Sequence, residues 1–579
     1  MQRGRRAARR KDSHVRRQRS KKLPHPSHAA HRGCRGPRRN GRAAHRPGIP
    51  AGSAASTLTP PPDFPAGIPL AQQTFRNWSL EIIVENVWTA AARTPDDVVA
   101  LANWAHEHGY RLRARGKGHT WSPLVLPAGA DTSRTVLVDT TSHLTAVSVR
   151  DGSPGSVTAQ TGATLDTVLA RLEEAGLGLA TMPAPGDLTV GGVLAIGAHG
   201  TGLPTATEHP PAGSGFGTLS SLVSSLTAVV WSAAQGRYVL RTFTRSDPDL
   251  RAFLVHLGRA FVTQVTLTAA ANTRLRCQNW YDVNVGTVFG APGTGGRTLS
   301  SYVERTGRVE AIWFPFTDVP WLKVWSVAPA KPLLAKRIDA PYPYSFANRV
   351  TEDMSKLLGE IAAGGGDRTP AFTKLAMSIV GSGLIVTGTW DVWGWSRNSL
   401  LYVEPTTLRI VEAGWAVLTS RSQVQRVVSD FHAQYQKVLT AYQGRGSYPV
   451  NGPIELRVTG TDPVDGPLLS PARARADHPE WDTVVWLDFA TYPGTPGAAP
   501  FFREMEQWIW QTYTGGYATV RPEWSKGWAY TDGGPWTDPA VLAGTVPAAF
   551  DEWRTARDTL NSYDPARVFS NAFLDTLLP

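Results

Sequence analysis

Apolar and polar positions change period several times along this 579-residue chain. Val98, Leu101, Ala102 and Ala105 fall on one helical face. Thr94-Pro95-Asp96-Asp97 before them reads as an N-cap, a proline at the first helical position and acids in the first turn, and Gly109 marks the end. A second stripe, Leu165, Val168, Leu169 and Leu172, runs to Gly176. Around these helices lie strand-like runs at 111–114, 136–138, 146–149, 157–160, 222–231, 238–243 and 261–267. Strands and helices alternate throughout 78–270, which predicts an α/β or α+β domain.

The texture changes after residue 271. Strand-like segments at 310–316, 400–403, 407–411, 454–458 and 484–489 dominate, with helical patterns at 422–442 and 501–512. Gly/Pro loops fall at 290–296 and 364–370, and no internal repeat is found. The pattern predicts a large, mainly antiparallel sheet with helices on one face, and the chain as a whole reads as α+β. No apolar stretch approaches the ~18 residues of a membrane span.

Charge alters this picture at one end only. The formal net charge is +12, but residues 1–46 hold 17 of the 59 Lys/Arg and one of the 47 acids, Asp12. The remaining chain carries 42 basic residues against 46 acidic ones, so no nucleic acid partner is expected for the folded body. The basic tail, 1–48, almost lacks apolar residues and is expected to be disordered. Its paired arginines precede no apolar run, so it holds no recognisable secretory signal. Residues 49–77, with Pro60-Pro61-Pro62, read as a linker or arm. Two cysteines, Cys34 and Cys277, give neither a disulfide framework nor a Cys-based metal site.

The chemistry-bearing string is Arg115-Gly116-Lys117-Gly118-His119-Thr120-Trp121. It follows a strand, and Trp121-Ser122-Pro123 argues against a helix after it. A Rossmann turn would need a third glycine and that helix. Two readings stay open: a tight turn with a hydrogen-bonded histidine, or a backbone cradle for a pyrophosphate beside a nucleophilic imidazole. Further clusters follow in order: Thr161-Gly162, Pro185-Gly186, Gly191-Gly192 and Ala198-His199-Gly200-Thr201-Gly202. Gly258 to Thr266, with Val262, closes the series. His199 by itself reads as a structural, hydrogen-bonded histidine.

This succession resembles the bipartite, PCMH-type FAD-binding domain of the vanillyl-alcohol oxidase family. The resemblance implies FAD bound covalently through His119. It also implies that Arg115, Gly116, Lys117, Gly118, Thr120, Thr161, Gly162, Pro185, Gly186, Gly191, Gly192, His199, Gly200, Val262 and Asn571 contact the cofactor. It gives an FAD domain over 78–270, a substrate domain over 271–545 and a C-terminal segment, 546–579, that returns to the FAD domain.

In the second half, Asn451-Gly452-Pro453-Ile454-Glu455-Leu456-Arg457-Val458 is the sharpest motif. As a strand it puts Glu455 and Arg457 on one face and Ile454, Leu456 and Val458 on the other. That face is either a solvent-facing ion-pair stripe or a carboxylate and guanidinium poised for chemistry. This string, with Asn77-Trp78-Ser79, Glu310-Ala311-Ile312-Trp313 and Arg521-Pro522-Glu523-Trp524-Ser525-Lys526, resembles the covalent-flavin cholesterol oxidases. That likeness implies a site built from Glu455, Arg457 and Glu310, although Glu310 alone reads as a surface acid. Lys526 in Trp-x-Lys is similar to a flavin-side motif of sugar-lactone and alditol oxidases, but Glu523 stands where those have histidine. The expected activity is oxidation of a sterol 3β-hydroxyl with isomerisation to the 4-en-3-one, oxygen being reduced to hydrogen peroxide. An alditol or aldonolactone oxidase is the alternative.

Tryptophans at 313, 321, 325, 390, 393, 395, 486, 508 and 510 suggest a wide apolar cavity for a rigid ring system. Transient contact with a membrane or lipid surface and an extracellular or cell-surface location are implied by resemblance. The family-like sequence begins only near residue 57, so the basic tail is read as upstream sequence rather than part of the enzyme.

Overall fold

The structure is a computed structural model and describes residues 59–579. The basic tail, Cys34 and the first part of the predicted arm lie outside the described residues.

Three sheets organise the chain. The first has four strands in the order Leu70–Arg76, Ile83–Ala91, Thr135–Asp139, Arg111–Arg115. Its edge strand, Leu70–Arg76, falls in the segment read as a linker. That segment has an apolar anchor of its own: Phe64 meets Trp104 edge-on, and Ile68 is buried with them. The helix Pro95–His108 starts as the pattern predicts. Thr94 and Asp97 form a reciprocal capping box, and Gly109 ends the helix in the left-handed conformation.

The second sheet is built around the long strand Phe261–Ala271, which pairs antiparallel with Gly155–Gln160 and Val223–Ser232. The C-terminal helices pack back onto these two sheets. Leu112 N–H donates to Val568 O, and Asp564 accepts from both Tyr238 and the buried Arg259.

The third sheet has nine strands, in the order Lys336–Arg337, Asp391–Trp395, Arg274–Trp280, Trp321–Val327, Arg308–Trp313, Ile454–Gly460, Thr483–Thr491, Val411–Thr419, Ala518–Pro522. All its pairings are antiparallel except the short outermost one. Phe489 of this sheet meets Phe431 and Tyr435 of the helix Val424–Gln443 and Phe502 of the helix Ala498–Thr512. Every residue of Arg308–Trp313 and Thr483–Thr491 is buried. These central strands are covered on both faces, which puts their few charged side chains in the protein interior.

Three expectations give way here. Residues 400–403 and 407–411 are not strands: Leu400 ends the helix Ser396–Leu400, and the next strand starts at Val411. The apolar run 366–387 folds as a helix long and apolar enough to cross a membrane, against the reading that no such stretch exists. Small and hydroxylated residues dilute its hydropathy, and its inner side packs on the protein through Phe372, Met377, Val380 and Leu384. The tryptophans of the second half are mainly core. Trp313 packs against Phe289 and Tyr435, and Trp486 stacks on His199 at 3.4 Å.

Candidate active site

A cavity of about 300 Å³ opens where the glycine turns of the first half meet the nine-stranded sheet. His119, Gly116, Lys117, Gly118, Thr120, Thr161, Pro185, Gly191, Gly192, His199, Gly200 and Val262 line it from one side. Glu455, Arg457, Tyr402, Glu412, Glu523 and Lys526 line it from the other.

The His119 turn is shaped by its neighbours. Gly118 sits at φ +66°, where a Cβ would come 3.1 Å from Arg76 O, and its carbonyl accepts from Trp78 N–H at 2.6 Å. Trp121 and Ser122 N–H both donate to Ser525 O, and Trp121 Nε1 donates to Ile410 O at 2.8 Å. The second half therefore pins the turn in place. The His119 ring lies between Trp78, at 4.8 Å, and Trp121, at 5.9 Å. Burial, then the positive charges of Lys526 and Arg409, lower its pKa to about 3. The imidazole is neutral at working pH, the state in which a ring nitrogen is nucleophilic.

The surroundings fit the expected FAD. Among the described residues, no protein acceptor takes the backbone N–H groups of residues 116–120, all of which border the cavity. Trp78 Nε1, Asp187 Oδ1 and Arg409 Nη1 are buried without partners close by. Thr189 caps the short helix Val190–Ala195 without a side-chain hydrogen bond. Free donors on glycine turns suit a diphosphate.

Four of the expected cofactor contacts lie outside the cavity lining. Arg115 turns away to Gln73. Gly162 backs the site: a Cβ there would sit 1.7 Å from Thr140 O, so the glycine serves chain packing. Gly186 accepts from Asp166 N–H and packs on Leu401. Asn571 caps the helix Ala572–Leu577, and its Nδ2 donates to the carbonyls of Pro123, Leu124 and Val125, so it holds the loop after His119 from behind.

Opposite His119, the strand Ile454–Gly460 alternates as the motif predicts, with Ile454, Leu456 and Val458 buried. Arg457 is the hub of an ion cluster. Its Nε donates to Glu310 Oε1 at 2.7 Å, Nη1 to Asp488 Oδ2 at 3.0 Å and Nη2 to Glu455 Oε2. Its pKa is held well above the ordinary value because the surrounding carboxylates outweigh the cost of burial. Glu310 is fully buried, contrary to the surface reading, and does not line the cavity. It sits behind Arg457, and its Oε2 accepts from Tyr402.

A second cluster surrounds Lys526, whose Nζ lies 4.5 Å over the Trp121 ring and donates to Glu412. Burial raises the Glu412 pKa to about 7 in spite of Lys526. Glu523 Oε2 is 3.5 Å from His199 Nε2, so the acid that replaces the expected histidine pairs with another histidine. Asp488 is pushed well above the ordinary carboxylate range by burial, then by the negative charge of Glu523 beside it. Sequence reasoning missed Tyr402, Glu412 and Asp488. Asp488 had a visible signal, a lone acid inside the apolar run Val484-Val485-Trp486-Leu487-Asp488-Phe489. The other two had none, since partners more than 90 residues away bring them to the site.

Residues 274–579 match the family model described as cholesterol oxidase, substrate-binding, and residues 88–209 match that of an FAD binding domain. A solved structure of a solvent-stable cholesterol oxidase is 50% identical, with a TM-score of 0.88 over 90% of this chain and 100% of that one. The cholesterol oxidase from Brevibacterium sterolicum is 42% identical, also with a TM-score of 0.88, over 90% and 99%. Curated relatives are more distant. L-galactono-1,4-lactone dehydrogenase 2, mitochondrial, of Oryza sativa subsp. japonica is 25% identical over 39% of each chain. L-gulonolactone oxidase of Scyliorhinus torazame is 23% identical over 42% of this chain and 49% of its own. The chain thus spans less than half the length of the curated relatives it matches.

Proposed function

The chain belongs to the cholesterol oxidase family and is an FAD-dependent oxidase, and from that premise we propose that it oxidises the 3β-hydroxyl of a sterol with oxygen as the acceptor and isomerises the product to the 4-en-3-one. One observation carries this reading: Glu455 and Arg457 share a cavity with the neutral imidazole of His119.

When bound, FAD supplies the hydride acceptor and returns the electrons to oxygen, giving hydrogen peroxide. His119 is the proposed covalent tether. The free N–H groups of residues 116–120 would hold the phosphates, and Val262, Thr161 and the turn at Gly191-Gly192 would complete the cradle. Glu455 borders the cavity with one oxygen engaged by Arg457, and it takes the hydroxyl proton. The Arg457 guanidinium, fixed on three carboxylates, stabilises negative charge developing on the sterol oxygen. Isomerisation moves a proton between ring carbons. Glu455 serves that step better than Glu310, which has no surface in the cavity. Lys526 keeps positive charge beside His119, where a tethered flavin would feel it.

A sterol lives in lipid, and the surface carries a patch suited to one. Leu333, Leu334, Ile385, Val386 and Trp390 are 93, 73, 77, 84 and 45% exposed. Lys336 Nζ donates to Thr387 O and Lys336 pairs with Val392, so the turn at 332–335 adjoins the end of the helix that carries Ile385 and Val386. Lys331 and Lys336 flank it, a composition that favours an anionic bilayer surface. The helix beneath it reaches, through Tyr344 and its neighbours, to Tyr402 at the cavity. Transient bilayer contact and a location outside the cell or at its surface belong to this proposal.

The test is oxygen uptake by the purified protein with cholesterol in detergent micelles, compared with an aldonolactone. Sterol-dependent uptake with peroxide and a conjugated ketone supports the reading. Uptake with the lactone alone would replace it with the sugar-acid alternative.

A further inference from the structure

Lys323 lies on the strand Trp321–Val327, opposite Glu310 on one neighbouring strand and Asn279 on the other. The side chain is wholly buried, and Nζ has no hydrogen-bond acceptor among the described residues. An unpaired ammonium in the interior is costly and calls for compensation. Four rings supply part of it: Nζ stands 3.2 Å from the Tyr402 ring centre, 4.1 Å from Tyr344, 4.8 Å from Trp321 and 5.7 Å from Trp325.

Tyr402 is the link to the cavity. Its ring covers the ammonium, its hydroxyl donates to Glu310 Oε2, and it lines the cavity itself. Glu310 Oε1 in turn accepts from Arg457 Nε. A continuous path runs from Lys323 through Tyr402 and Glu310 to the guanidinium that faces the cavity.

We propose that Lys323 is a positioning residue whose ammonium holds Tyr402 and Glu310, and through them Arg457, in working geometry, and that deprotonation of Lys323 releases this hold. The proposal rests on the reading that Arg457 faces the reacting alcohol. Burial lowers the Lys323 pKa to about 8, against the opposing pull of Glu310. The other groups facing it come from every side: Cys277 from the strand Arg274–Trp280, Tyr344 and Tyr402 from the loops above, and Glu455 and Arg457 from the strand beyond Glu310. Burial pushes the Cys277 thiol up to about 12, and both tyrosine hydroxyls well above their ordinary range. Arg457 stays charged. Lys323 is therefore the member of this cluster that changes charge on the alkaline side of neutrality.

The experiment uses the FAD-loaded enzyme and cholesterol in detergent micelles. Wild-type kcat is expected to fall with an apparent pKa near 8. Lys323→Met is expected to lower kcat about ten- to a hundredfold with KM little changed, and to lose that alkaline limb. Flavin absorbance titrated without substrate is expected to shift with the same midpoint in the wild type and not in the variant. That readout needs no sterol, so it separates failure of this proposal from failure of the sterol reading. A wild-type enzyme with no transition near pH 8 in either readout overturns the proposal. So does a Lys323→Met enzyme that keeps wild-type kcat and the alkaline limb. Should Lys323→Met fail to fold, the two wild-type titrations decide alone.

Discussion

Arg457 Nε lies 2.7 Å from Glu310 Oε1, across two neighbouring strands whose residues are 147 apart in sequence. The pair is 16% and 1% exposed at its side chains, so each charge depends on the other. Arg457→Ala leaves Glu310 buried without its guanidinium partner, held only by the Tyr402 hydroxyl and the nearby Lys323 charge. It is expected to cost about 3–5 kcal/mol of stability and to lower sterol turnover about 10²- to 10³-fold. Adding Glu310→Gln should recover much of the stability and none of the turnover. Chemical unfolding and steady-state kinetics on the single and double variants check this.

Glu455 and Glu310 separate in a second comparison. Glu455→Gln removes the carboxylate that borders the cavity and is expected to slow oxidation and leave unconjugated ketone in the product. Glu310→Gln, whose side chain stays behind Arg457, is expected to keep the conjugated product while losing turnover. Chromatography of the sterol products distinguishes the two.

His119 and Lys526 are electrostatically linked. The imidazole's folded-state pKa, about 3, lies below the unbound value of 6.5. The unfolded chain therefore binds the extra proton first, and stability contributed by the neutral ring is lost as pH falls from about 6.5 towards 3. Lys526→Met removes one of the charges that depress this pKa, so the His119 titration should move upwards. NMR titration of the flavin-free protein reads the shift. An unmoved pKa would mean that burial and Arg409 set it without Lys526.

The exposed patch gives a separate prediction. Leu333→Asp with Leu334→Asp should weaken sedimentation with anionic vesicles and leave turnover of detergent-solubilised cholesterol unchanged. Added salt should weaken only the share due to Lys331 and Lys336. Equal vesicle binding by the variant would exclude this patch as the contact.

The local patterns were legible where one strand or one turn held the whole signal. The alternation in Ile454-Glu455-Leu456-Arg457-Val458 gave the face of both charged residues, and the order of the glycine turns gave the cavity's other wall. Glu310 was misread because its partner arrives from a different strand, and burial of Arg308–Trp313 on both faces depends on the assembled sheet. Lys323 was invisible for the same reason, since four rings from three segments make its box. The tryptophans misled in the opposite direction: large aromatics fill a core as readily as a pocket, and their composition does not say which. Residues 407–410, apolar enough for a strand, instead run irregularly from the turn at 405–406 to the strand that starts at Val411, and bring Thr407 and Ile410 to the cavity edge.

The most direct measurement of the central claim is acid precipitation of the purified protein followed by mass analysis of the peptide containing His119. Flavin that stays with the protein, with its mass on that peptide and absent from a His119→Ala variant, is the expected result. Flavin released to the supernatant from the wild type would contradict covalent attachment. A flavin mass on any other residue would contradict the part assigned to the His119 turn.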